Sequence, residues 1–179
     1  MNPERRQALE SFGNGAALLT AALRRFPRRM WLYQKSKESR SIHGIVWALA
    51  DREVIEYIYC RSFVVDPGSP AVEMEPFAWP DRLGYFYHDI KDALGIVRAL
   101  RRATYRFLAS LPVIAWTYTA EFPMQGQLSL EAWLRLQESY LPEQIQLMTD
   151  IYSEWLEATS AAKTVRTVQK ASSLESLVS

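Results

Sequence analysis

Apolar side chains recur at helical spacing along almost the whole of this 179-residue chain. Leu9, Phe12, Ala16, Leu19, Leu23 and Phe26 make one stripe. Gly13-Asn14-Gly15 weakens its first half, so the helix is expected to begin late or bend there, and Pro27 closes it. After a basic connection over 27–40, Ser41 offers a hydroxyl as N-cap to a second helix from Ile42 to about Val65. Asp66-Pro67-Gly68-Ser69-Pro70 is a strong stop. The proline-rich stretch 66–80 reads as a long crossover loop whose Met74, Phe77 and Trp79 cover one end of the bundle.

A third helix is expected from about Asp81 to Leu111, on the stripe Leu83, Phe86, Ile90, Val97, Leu100, Thr104, Phe107 and Leu111. Pro112 ends it, and Val113 to Thr119 is a short β-prone stretch. Ser129 caps a fourth helix reaching about Glu157, with the stripe Leu130, Trp133, Leu134, Gln137, Leu141, Ile145, Met148, Ile151, Tyr152 and Trp155. Pro142 falls in that stripe and predicts a kink. The remaining residues have no aromatic side chain and read as an extension. The expected organisation is therefore all-α: a four-helix bundle over 1–157 and a C-terminal extension, a short helix or packed tail, over 158–179.

Composition narrows the function classes. The hydrophobic share is 49% and the charged share 23%, which are globular values. A net charge of +1 gives no overall pull towards nucleic acid or an anionic membrane. No apolar run is long enough to span a bilayer, so no membrane partner is expected. One cysteine, Cys60, cannot form an internal disulfide, which points to the cytoplasm, and its apolar surroundings predict an inert thiol. Residues 1–40 hold nine Lys/Arg against three Asp/Glu, and residues 121–160 hold one against seven. Arg24, Arg25, Arg28 and Arg29 are thus expected to complement the end of helix one and the acidic last helix rather than to bind nucleic acid.

Four short motifs carry a resemblance. Ser41-Ile42-His43-Gly44-Ile45-Val46-Trp47-Ala48-Leu49-Ala50-Asp51-Arg52-Glu53 is similar to the second-helix signature of the DinB/YfiT-like superfamily of metalloenzymes. Phe26-Pro27 followed by Trp31 and Tyr33 resembles the connection before that helix. Gln125-Gly126-Gln127-Leu128-Ser129 resembles the turn that opens the last helix, and Gln144-Ile145 matches a Gln-Ile pair within it. The four stand in the family's order over residues 9 to 155. The resemblance implies a mirror variant of the up-and-down bundle, a homodimer, and relatives active in thiol-dependent transfer or metal-dependent hydrolysis.

It also implies three metal-binding histidines, at the positions of Ala48, Gln137 and Leu141. None is histidine here, and the chain has only His43 and His88, read as lying on different helices. His43 is five residues before Ala48, about 140° around a helix, and cannot take its place. Glu53, Glu56 and Glu138 are carboxylates that could replace imidazole, but none stands at a matching position. No metal or other cofactor is expected. The preferred reading is a non-catalytic ligand-binding or interaction module, whose small-molecule ligand is unidentified. A residual pocket would lie at Ala48, Gln137 and Leu141 with Glu53 and Tyr140 beside it. The alternative is a rearranged enzyme using Glu53, Gln137 and Tyr140 in a polar cavity between helices two and four. Arg52 and Glu56 are expected to pair along helix two, and an inward carboxylate would need Arg98, Arg101 or Arg102.

Overall fold

The computed structural model describes residues 2–71, 79–122 and 125–175. Helix α1 runs unbroken over Pro3–Leu23, with Pro3 at its first position and the Asn2 side chain accepting from Arg5 N at 2.7 Å. The expected late start or bend at Gly13-Asn14-Gly15 does not occur. Those glycines are sites of close approach: a Cβ at Gly13 would lie 2.7 Å from the Tyr105 ring, and one at Gly15 would meet Arg101 and Leu141.

Helix α2 spans Ile42–Val65. Ser41 Oγ accepts from Gly44 N at 3.0 Å, the cap its hydroxyl predicts. Trp79 lies in a one-turn helix, Trp79–Arg82, while Met74 and Phe77 lie outside the described residues. The third helix starts later than its stripe suggests. Gly84 takes a left-handed φ of 68°, which ends any helix from Asp81, and a 3₁₀ turn follows at Tyr85–Tyr87. Asp89 then caps α3, Ile90–Ala109, by accepting from Lys91 N at 2.9 Å. Leu83 and Phe86 are accordingly exposed.

Val113–Thr117 forms a 3₁₀ turn instead of a strand, and the strands come after it. β1 (Thr119–Phe122) pairs antiparallel with β2 (Gly126–Ser129), Thr119 opposite Ser129. Ser129 Oγ accepts from Ala132 N at 3.1 Å and opens α4, Leu130–Glu175. This helix passes Glu157 without stopping, so the residues from 158 to 175 continue it rather than forming a separate element. Pro142 is inside it but on the exposed side, not in the buried stripe. Among the described residues no helix is long and apolar enough to cross a membrane.

α3 and α4 each pack against both α1 and α2. The core divides into two apolar clusters along the bundle. One holds Leu19, Phe26, Ile45, Val97, Leu141 and Met148; the other holds Phe12, Cys60, Phe63, Leu108, Trp116 and Trp133. Between them every helix contributes something other than a large apolar side chain: Gly15 from α1, Glu53 and Glu56 from α2, Arg101 and Thr104 from α3, Gln137 from α4. A polar layer thus crosses the bundle at mid-height.

Candidate functional site

Glu53 and Glu56 are three residues apart on α2, so one face of the helix carries both into this layer. They are 5% and 7% exposed, and such carboxylates persist only with partners. For Glu53 the partner is Arg101, which reaches Oε1 through Nη2 at 2.5 Å and Nε at 2.7 Å. The guanidinium, 4% exposed, also lies 4.5 Å from the centre of the Phe12 ring. Of the three arginines proposed for this role, Arg101 alone takes it. Glu56 accepts from Trp133 Nε1 at 2.7 Å, pairs with Arg52 at 2.8 Å, and bonds the Gln137 side chain. Arg52 stacks 3.7 Å from the centre of the Tyr140 ring.

Two negative and two positive side chains therefore neutralise one another. Burial pushes both carboxyls above the usual carboxylate range; Arg101 opposes this at Glu53, as Arg52 and Trp133 do at Glu56. Burial also raises the Tyr140 phenol, with Arg52 acting in the opposite direction.

The positions matched to the family's metal histidines lie within and beside this layer. Ala48, Gln137 and Leu141 are 1%, 4% and 2% exposed. Leu141 belongs to an apolar cluster and touches the α1 backbone where Gly15 admits it. Ala48 and Leu141 offer no donor atom, and the Gln137 amide is engaged by Glu56. Among the described residues no three His, Cys, Asp or Glu side chains converge as metal ligands. The residues present do not fit a bound divalent metal.

The two histidines meet elsewhere. His88 precedes α3 rather than lying on a helix, and His43 Nε2 donates to its carbonyl at 3.0 Å. The His88 ring sits edge-on to Trp47, and Tyr85 Oη donates to Asp51 Oδ1 at 3.1 Å. These contacts fasten the segment before α3 to α2.

Cys60 is fully buried, and burial pushes its thiol up to about 12 from 9.0. Its thiolate fraction at pH 8 is then about a thousandfold below that of a free thiol. Alkylation by iodoacetamide at pH 8 is expected to follow global unfolding. Stoichiometric labelling of the native protein within minutes would contradict this burial.

The contacts of two residues were not legible in the sequence. Arg5, read only as part of a basic end, is buried, pairs with Glu131 at 2.6 Å and lies over Trp116. Trp133 was read as apolar stripe, yet its N–H serves Glu56. The basic run from Arg24 also divides: Arg25, Arg28 and Arg29 lie over Phe26, Trp31 and Trp155, and Lys35 ion-pairs with α4 through Glu154.

Four long helices among the described residues, with a small hairpin before α4, form a four-helix bundle with the fold of YfiT. A solved structure with this fold is YfiT from Bacillus subtilis, a probable metal-dependent hydrolase with an unusual four-helix bundle topology. The two superpose with a TM-score of 0.78 at 15% sequence identity, over 87% of this chain and 90% of that one. At that identity the likeness concerns the fold. No protein-family model and no curated protein matches the sequence.

Proposed function

We propose that this chain is a non-catalytic ligand-binding or interaction module on a DinB/YfiT-like bundle that has given up the family's metal site. The observation that carries the reading is the polar layer. The positions of the three histidines hold Ala48, Gln137 and Leu141, and the adjacent carboxylates Glu53 and Glu56 are already committed to Arg101, Arg52 and Trp133. A metal there would have to break the buried Glu53–Arg101 pair and the partly buried Glu56–Arg52 pair to gain oxygen ligands, and removing a partner from a buried pair costs about 3–5 kcal/mol. The same enclosure speaks against an enzyme built on Glu53, Gln137 and Tyr140. Glu53 and Gln137 are 5% and 4% exposed, and substrate would need access to them.

The test is elemental analysis of protein purified without an affinity tag and then dialysed against zinc, nickel or manganese. Substoichiometric metal is expected, with no change in melting temperature on adding a chelator. One equivalent of tightly held metal, with a melting temperature that falls on chelation, would overturn the reading.

A further inference from the structure

We infer that the groove between α1 and α3 is a binding site for a small organic anion, a phosphate or carboxylate carried on an apolar or aromatic body. The groove has a volume of about 700 Å³, within the range of small-molecule sites, and is lined by α1 and α3 residues. Its floor exists because α1 presents Gly13, Ala17 and Ala21 there, residues with little or no side chain. The Tyr105 ring lies directly on the Gly13 backbone and forms one wall.

The charge is lopsided. Arg98 and Arg102 stand one turn apart on α3 and line the groove with Arg24 from α1; among the described residues Glu10 is the one acidic lining residue. None of the three arginines forms an ion pair or hydrogen bond with a described residue. They differ in this from Arg101, between them in sequence, which is spent on Glu53. They differ also from Arg25, Arg28 and Arg29, which lie over aromatic rings. Three guanidiniums with no ion pair or side-chain hydrogen bond among the described residues, around an apolar floor, suit one anionic group held by two or more forked contacts, with its carbon skeleton on Ala17 and Tyr105. An apolar floor and Glu10 in its path both disfavour a nucleic-acid backbone in this groove.

This site rests on the binding-module reading for its purpose and not for its geometry. Loss of anion binding would leave the metal reading intact, and a bound metal would leave the groove intact.

The experiment titrates the full chain with phenyl phosphate and, separately, inorganic phosphate by calorimetry at low salt. It repeats both with Arg98→Gln/Arg102→Gln and with Ala17→Phe. Ala17 is exposed, so filling the floor there leaves the fold in place, which circular dichroism checks. Phenyl phosphate is expected to bind with a submillimolar Kd, more tightly than inorganic phosphate. The arginine pair variant should weaken both about tenfold or more, and Ala17→Phe should weaken phenyl phosphate selectively. Failure of wild-type protein to bind either compound at millimolar concentration would overturn the site, as would equal affinity in the variants. Tight binding of a labelled DNA duplex without phenyl phosphate binding overturns it in favour of a nucleic-acid surface. A dimer in sedimentation that the arginine variant dissolves, again without phenyl phosphate binding, overturns it in favour of a second copy.

Discussion

Arg101→Met is expected to destabilise the protein by about 3–5 kcal/mol, because it leaves a buried carboxylate without its counter-charge. Glu53 is 5% exposed and its Oε1 receives both Arg101 contacts, at 2.5 and 2.7 Å. For a chain of this length such a loss lowers the melting temperature by roughly 10–15 °C. The loss is pH-dependent, and the sign follows from the forces on Glu53. Burial raises its carboxyl while Arg101 is the main force pulling it down, so removing Arg101 leaves burial opposed only by the weaker pull of Arg52. The folded variant then holds a proton on Glu53 more tightly than the unfolded chain does. That contribution to stability is fully present below the unfolded carboxylate range and is lost as pH rises through the folded value. Arg101→Met should therefore cost less at pH 5 than at pH 8. Glu53→Leu/Arg101→Met should recover most of the loss or exceed wild type, since two apolar side chains there need no partners. Urea unfolding at the two pH values measures all three. A single variant within about 1 kcal/mol of wild type, or a double variant no better than the single, would show that the pair is not energetically coupled.

The four helices were legible because each carries a long apolar stripe, and a stripe is a property of one chain segment. The polar layer was legible only in part. The motif placed Glu53 on α2, and charge logic demanded an arginine, but Arg98, Arg101 and Arg102 crowd one stretch of α3. Which of them turns inward depends on the rotation of α3 against α2, a tertiary quantity. Arg98 and Arg102 went instead to the groove with Arg24, whose sequence neighbours gave no hint of it. The start of α3 is hidden from the sequence for a related reason. Leu83, Phe86 and Ile90 keep helical spacing, but a left-handed Gly84 and a capping Asp89 reset the chain between them. At the far end, the residues after Glu157 look like a tail because they are mostly Ala, Ser, Thr and Lys, with scattered Val and Leu and no aromatic group. Their backbone continues α4 regardless, and alanine in particular favours helix without needing a core.

Gly15→Ala should destabilise the protein by about 2–3 kcal/mol, against the usual sign for a glycine inside a helix. Gly95 supplies the control. It is also helical, an added Cβ there meets nothing within 4 Å, and Gly95→Ala should stabilise by about 0.5–1 kcal/mol. At Gly15 the new methyl would fall on the Arg101 guanidinium and 2.9 Å from Leu141 Cδ2. Both neighbours are side-chain ends, and free ends could step aside cheaply. Arg101 is not free: Glu53 holds it at 2.5 Å and the Phe12 ring lies against its other face. Making room for one methyl therefore means loosening a buried ion pair or parting α1 from the core. The cost should fall sharply in the Arg101→Met background, where the space is lined by a flexible thioether and no pair is left to disturb. Additive costs for Gly15→Ala and Arg101→Met, or equal stability of the two alanine variants, would mean that α1 does not close over the polar layer through Gly15. The expected non-additivity would instead tie the weakest helix-forming stretch of α1 to the charged layer it covers, making the low propensity of that stretch the condition for burying Arg101 at all.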